Sequence, residues 1–230
     1  CESCHGPGQN HIAWATLDDS IKKDDPNMGL SNLLRDRHNV QWAIDPDSGN
    51  AIRSEPPGSD HELETCAACH ARRGQLGEGV EASGSFLDYY RPALLTQELY
   101  HTDGQILDEV YVWGSFAQSK MKAAGVTCSD CHDPHSLQLR AEQQMVCAQC
   151  HSWSRYSTTR HHGHQPESTG ANCLDCHMPE TTYMEVDPRR DHSLRIPRPD
   201  LSLEFGTPNA CSQCHTDKDT QWAANEFSRL

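Results

Sequence analysis

Residues 128–151 read CSDCHDPHSLQLRAEQQMVCAQCH, two copies of Cys-x-x-Cys-His in close succession. Four more copies lie elsewhere in the 230 residues, and the six together use all 12 cysteines. They are Cys1-Cys4-His5, Cys66-Cys69-His70, Cys128-Cys131-His132, Cys147-Cys150-His151, Cys173-Cys176-His177 and Cys211-Cys214-His215. At this cysteine and histidine content, chance would yield about 0.04 copies. Cysteines at i and i+3 with a histidine at i+4 share one face of a helical turn. One short element can therefore offer two thiols to the vinyl groups of a porphyrin and an imidazole to its iron, the pattern of covalent c-type haem attachment. Zinc would take Cys-x-x-Cys pairs in twos and leave each following histidine unexplained. Six pairs at one identical spacing do not look like a disulfide framework. The cofactor expected is six haem c, and the function expected is electron transfer.

Composition supports this. Apolar residues make up 35% of the chain, aromatics 7%, and the mean hydropathy is −0.76, values that ordinarily point to disorder. Six large apolar plates would supply the missing core, so the chain is expected to fold only around its haems, as small metal-dependent domains fold only around metal. The formal net charge of −14 becomes more negative with the haem propionates and argues against a nucleic-acid partner. Arginine far outnumbers lysine, and its planar fork suits carboxylates, so Arg189, Arg190, Arg195 and Arg198 are candidates for propionate pairing. No apolar run is long enough to span a membrane. Haem c is attached outside the cytoplasm, so the expected location is extracytoplasmic: periplasmic, cell-surface or extracellular. An export signal upstream of Cys1 is expected with it.

The expected fold is mainly α with extensive irregular coil, little or no sheet, and a single hexahaem domain over residues 1–230. Motif spacing divides it into a looser two-haem region, 1–127, and a dense four-haem region, 128–230. The capping box Ser59-x-x-Glu62 predicts a helix carrying residues 66–73. Further helices are expected over 92–100, 106–124 with Gly125 as its stop, 139–151, and 220–228 capped by Asp219 or Thr220. Stretches 45–59 and 195–209 read as ordered loop.

Six histidines are proximal ligands: His5, His70, His132, His151, His177 and His215. Nine others remain, and bis-histidine ligation is the simplest cause of the surplus. It fills both axial positions and favours electron transfer over substrate binding. His11, His101, His135 and His192 are the leading distal candidates. His11 stands too close to His5 to reach the opposite face of the same iron, and would serve another haem. Within His161, His162 and His164 one ligand is expected, His161 or His164. His61 is a further candidate, and His38 reads as a surface histidine.

The segment CESCHGPG followed by His11, and the run 128–151, resemble bacterial multihaem cytochromes with doubled CXXCH motifs, similar to the tetrahaem nitrifier cytochrome and hydroxylamine oxidoreductase superfamily. The resemblance implies a helical, haem-packed fold with parallel and perpendicular haem pairs. It also implies distal roles for His11, His101, His135, His192 and one of the 161–164 group. The Cys-x-x-Cys-Lys variant of pentahaem nitrite reductase is missing. Two functions follow. The first is an electron relay between redox proteins or extracellular acceptors, which self-association could extend into a filament. The alternative is a reductase or oxidase of a small nitrogen or sulfur compound. That would need one five-coordinate haem, with His38, Tyr89, Tyr90, Arg91 or Tyr100 lining its pocket.

Overall fold

Each Cys-x-x-Cys-His motif winds into a short helical turn, and these turns are the recurring element of the fold. The computed structural model describes residues 1–34, 40–82 and 84–230, so His38 lies outside the described residues. Five motifs sit on the α-helices Glu2–His5, His61–His70, Cys128–Cys131, Cys173–His177 and Cys211–Cys214, and the fourth, Cys147-Cys150-His151, begins inside a 3-10 helix over Gln143–Gln149. Among the described residues the longest helix spans only ten residues, His61–His70. Between the turns run irregular coil and, among the described residues, four small antiparallel two-stranded sheets: Trp42–Ile44 with Ala51–Arg53, Arg73–Gln75 with Tyr90–Pro92, His132–Asp133 with Gln138–Leu139, and Glu180–Tyr183 with Asp187–Arg190. The fold is mostly helix and coil with only small two-stranded sheets, as expected. Among the described residues no helix is long and apolar enough to cross a membrane.

Several helices differ from the sequence expectation. Ser59 and Glu62 do not close a capping box. The helix starts at His61, and the Glu62 carboxylate reaches across the fold to accept hydrogen bonds from Ser129 N (2.8 Å) and Ser129 Oγ (3.0 Å). Residues 92–100 form no helix: Ala93 N–H continues the hairpin to Arg72 O (2.8 Å), and Leu94 and Leu95 stay exposed, with no apolar stripe for a helix to bury. The expected long helix over 106–124 splits. Tyr111 adopts φ +59° to bridge to Ala71, and only Trp113–Phe116 and Lys120–Ala123 wind up. Gly125, at φ +90°, does end that region as expected. Over 139–151 the hairpin takes Leu139, leaving the 3-10 segment. Pro199–Phe205 is a helix where loop was expected, with Pro199 in its first turn. The last helix, Thr220–Phe227, is capped by Asp219, whose Oδ1 accepts from Trp222 N at 2.8 Å.

The polypeptide buries little by itself. Its apolar cluster is small: Ala67, Ala71, Phe86 and Tyr90, with Ala68, Tyr89 and Trp113 against it. The accessible surface is 14806 Å², against about 10,400 Å² expected for a globular protein of this mass. Large side chains such as Leu137 (83%) and Val186 (81%) lie open. Polar contacts tie distant segments instead. Ala51 N–H bonds Cys150 O at 2.7 Å, Ser152 N–H bonds Gly49 O at 2.8 Å, and Gln105 Nε2 bonds Pro208 O at 2.7 Å.

Two expectations follow. Replacing all 12 motif cysteines by alanine should leave a chain with coil-like far-UV circular dichroism; native helicity in that variant would show that the polypeptide folds alone. Glu62→Ala strands the Ser129 N–H and should lower the holoprotein's unfolding free energy by about 1–3 kcal/mol, measured in denaturant, with Glu62→Gln recovering part of the loss.

Candidate haem sites

The motif turns are held by ordinary helix chemistry. The N–H of the motif histidine bonds to the carbonyl of the first cysteine in His5 (2.8 Å), His151 (2.9 Å) and His215 (2.9 Å). This closes one turn and places the imidazole beside both thiols. Thr127 and Asp130 form a capping box on Cys128–Cys131. The Asn172 side chain caps Cys173–His177 through Leu174 N at 3.2 Å.

Four motif histidines face a second imidazole from elsewhere in the chain. His5 and His135 have ring centres 6.0 Å apart with planes inclined by 11°. His132 and His192 are 6.4 Å apart at 25°, His177 and His161 6.0 Å at 12°, and His215 and His164 5.9 Å at 22°. Two imidazoles on opposite sides of one metal, each bonded at about 2.0 Å with the ring centre ~1.1 Å farther out, stand about 6 Å apart. The spacing is too wide for ring stacking and fits an intervening metal. Among the described residues His, Cys, Asp and Glu form no cluster of three or more that could close around a bare ion. Opposed imidazole pairs are instead the donor set for a metal whose equatorial positions a macrocycle fills.

Tautomers agree with this. The Nδ1–H of His5 donates to Asn32 O (3.1 Å), His177 to Arg195 O (2.8 Å), His192 to Arg190 O (2.9 Å) and His164 to His162 O (2.6 Å). A carbonyl only accepts, so each Nδ1 carries the proton and each Nε2 keeps its lone pair, the form in which histidine ligates metal. Burial pushes His132, His151, His161 and His192 below the usual histidine range, keeping the rings neutral. His162 holds the opposite tautomer. Its Nδ1 accepts from His164 N at 3.2 Å, and its protonated Nε2 is buried without a partner. The triplet therefore brings two imidazoles, His161 and His164, to motif histidines, where one was expected.

His151 is oriented differently. Its Nδ1–H donates to a side chain, Asn50 Oδ1 at 2.7 Å. The single proton of the Tyr156 hydroxyl is shared between Ser48 O at 2.8 Å and the same Asn50 oxygen at 3.1 Å. The Tyr156 ring lies edge-on between His151 (5.7 Å) and His161 (4.9 Å), linking the fourth motif to the fifth. Asn50, Tyr156 and Gln144 had no signature in the sequence, because their partners lie far along the chain.

Other candidates lie elsewhere. His11 donates Nδ1–H to Met28 O at 2.7 Å and faces Trp14. His61 directs Nε2 to Asn32 Oδ1. His101 sits in a turn with its backbone N–H on Gln105 O at 2.8 Å. Among the described residues no opposed imidazole pair includes these three, or the motif histidine His70. The arginines expected for propionates all pair with the chain's own carboxylates: Arg189 with Glu109 (2.7 Å) and Asp187 (2.5 Å), Arg190 with Asp175 (3.0 Å), Arg195 with Asp103 (3.5 Å), and Arg198 with Asp200 (2.6 Å). Asp187 and Asp200 stand two residues from their arginines, whereas Asp175, Glu109 and Asp103 come from segments farther along the chain. Tyr90 and Tyr100 are buried in protein packing rather than lining a pocket.

Neighbouring motifs dock by a shared device. Glu62, on the helix of the second motif, caps the first turn of the third; Gln144, ahead of the fourth, accepts from Cys173 N at 3.0 Å at the start of the fifth. The Cys66 side chain lies beside that of Cys128, and Cys147 beside Cys173.

The doubled CXXCH motif family matches residues 121–156. Over 157 residues, 66% of its length, the chain is 22% identical to the multiheme cytochrome MtrA of Shewanella baltica (strain OS185), and covers 42% of that protein. Its fold is similar to that of the outer cell wall cytochrome OcwA, with a TM-score of 0.55 at 15% identity, over 98% of this chain and 56% of that one. The chain thus spans about half the length of the proteins it matches. The repeated motif, its doubled form and these two likenesses together support a multihaem c-type cytochrome.

Proposed function

We propose that the chain carries six haem c groups, one on each motif, and relays electrons along them. The four opposed imidazole pairs carry this reading. They give His135, His192, His161 and His164 as the distal ligands opposite His5, His132, His177 and His215. His61 and His101 are the candidates for the haems of His70 and His151, and His61 would have to release Asn32 to serve. Iron with two imidazoles has no open position for substrate, which favours electron transfer over catalysis. The thin apolar core supports the same reading, since porphyrin plates would cover side chains the polypeptide leaves open.

Contacts between motifs suggest the order of the relay. His135 lies three residues after His132, so the distal side of the first haem adjoins the third. The second docks on the third through Glu62 and the Cys66–Cys128 contact. Cys131 neighbours Cys147, the fourth and fifth share the Gln144 cap and Tyr156, and Cys176 neighbours Cys211 and Cys214. The proposed path runs from the first haem through the third, fourth and fifth to the sixth, with the second beside the third. Donor and acceptor are proposed to be redox proteins or extracellular acceptors. The location is proposed to be extracytoplasmic, in keeping with c-type attachment and with the cell-wall description of OcwA.

Two measurements test this. His192→Ala should open one iron: the reduced variant should bind carbon monoxide at about one haem per chain, while a wholly low-spin variant spectrum would reject His192 as a ligand. Tyr156→Phe leaves Asn50 Oδ1 to His151 alone, so the imidazole becomes more electron-rich. One haem potential should fall by about 40 mV, the one-electron equivalent of ~1 kcal/mol, in spectroelectrochemical titration.

A further inference from the structure

His11 is held as a metal ligand is held, yet no motif histidine faces it. It sits on the helix Gln9–Ala15, and its Nδ1–H donates to Met28 O at 2.7 Å. Nδ1 therefore carries the proton, and Nε2, the ligating atom, has no hydrogen-bond partner among the described residues. The same device, Nδ1 fixed by a carbonyl, holds His5, His164, His177 and His192, and each of those stands in an imidazole pair.

The loop that supplies the carbonyl is built for the purpose. Met28 and Gly29 both take left-handed backbone, at φ +55° and +69°, a conformation unfavourable for the first. Asp25 pins the turn by accepting from Asn27 N and Gly29 N, each at 2.9 Å. The turn is pressed so close to the helix that a Cβ at Gly29 would lie 2.4 Å from Asn10 O and 2.9 Å from His11 N. A surface histidine needs no such support, because water would satisfy its ring. The surroundings are apolar as well: Ile12 is 67% exposed, Met28 39%, and the Trp14 ring lies 5.5 Å away at 18°. A porphyrin face would cover such a surface.

We infer that His11 is an axial ligand for a haem iron anchored outside this chain, on a second copy of it or on another polypeptide segment. The inference rests on the proposed imidazole ligation and extends it to a junction: electrons would leave or enter the row of haems here, through a ligand that one partner supplies and another partner's haem accepts.

The test uses the dilute holo-chain. The probe is a haem undecapeptide, a c-type haem on one Cys-x-x-Cys-His segment with its sixth position open. Wild type should convert one more equivalent of probe from high to low spin than His11→Ala, whose affinity at that site should be lower by more than about tenfold. Gly29→Ala, which displaces the Met28 loop but keeps the imidazole, should weaken probe binding by roughly tenfold. The chain's own haem spectrum should be the same in all three. The inference is overturned if His11→Ala binds probe as wild type does, or if it opens one of the chain's own haems to carbon monoxide. Its failure is separable from that of the relay reading, which would fall if wild type itself were high-spin at the four paired motifs. Sedimentation against concentration separates the sources. Self-association lost in His11→Ala assigns the haem to a second copy, and a monomer throughout assigns it to another segment.

Discussion

The spacing between opposed imidazoles, close to 6 Å in four places, is the constraint on which the rest of this structure depends. A Cys-x-x-Cys-His turn is local and can form anywhere along a chain. The imidazole across from it must come from another segment with Nε2 bare, and in the four pairs the ring planes are inclined by 11° to 25°. Meeting that requirement at His5 brings the chain back at His135, and at His132 brings it back at His192. In the proposed ligation, the course of the coil between motifs is set largely by where these rings must stand.

That constraint also explains how a polar chain can be ordered. Among the described residues the buried apolar side chains are few, a small cluster around Phe86 and Tyr90 and others such as Val110 and Ala223, less than a chain of this length ordinarily buries. Hydrogen bonds between distant segments take over part of the task. Asn32 shows the economy of the arrangement: its carbonyl accepts from His5, and its amide nitrogen donates to Cys4 O at 2.6 Å and Ala82 O at 2.7 Å. One residue thus orients an imidazole and ties two segments to the first motif. Glu62 and Gln144 do the equivalent work between motifs, each capping the helical turn of its neighbour.

Asn50 and Tyr156 mark the fourth motif as unlike the others. A side-chain amide can reorient and can be shared, whereas a backbone carbonyl held in a turn cannot. His151 therefore sits in a hydrogen-bond environment set by two side chains, and the same tyrosine touches His161 of the next pair. In the proposed relay, that pair of residues tunes one step separately from the rest.

The sequence by itself determined the attachment chemistry. Motif spacing, cysteine count and histidine surplus are local or compositional, and a helical turn converts them directly into geometry. It also marked the Asp219 cap and the Gly125 stop, which depend on nearest neighbours. It misjudged Glu62, whose capping role was drawn off by Ser129, and the 106–124 helix, broken where Tyr111 bridges to Ala71, because long-range contacts outweigh weak helix propensity in short segments. Only the tertiary structure decided which histidine faces which motif, that His161 and His164 both pair while His162 turns away, and that the four arginines belong to the chain's own carboxylates. Those outcomes depend on distances between residues far apart in the chain, which no local spacing encodes.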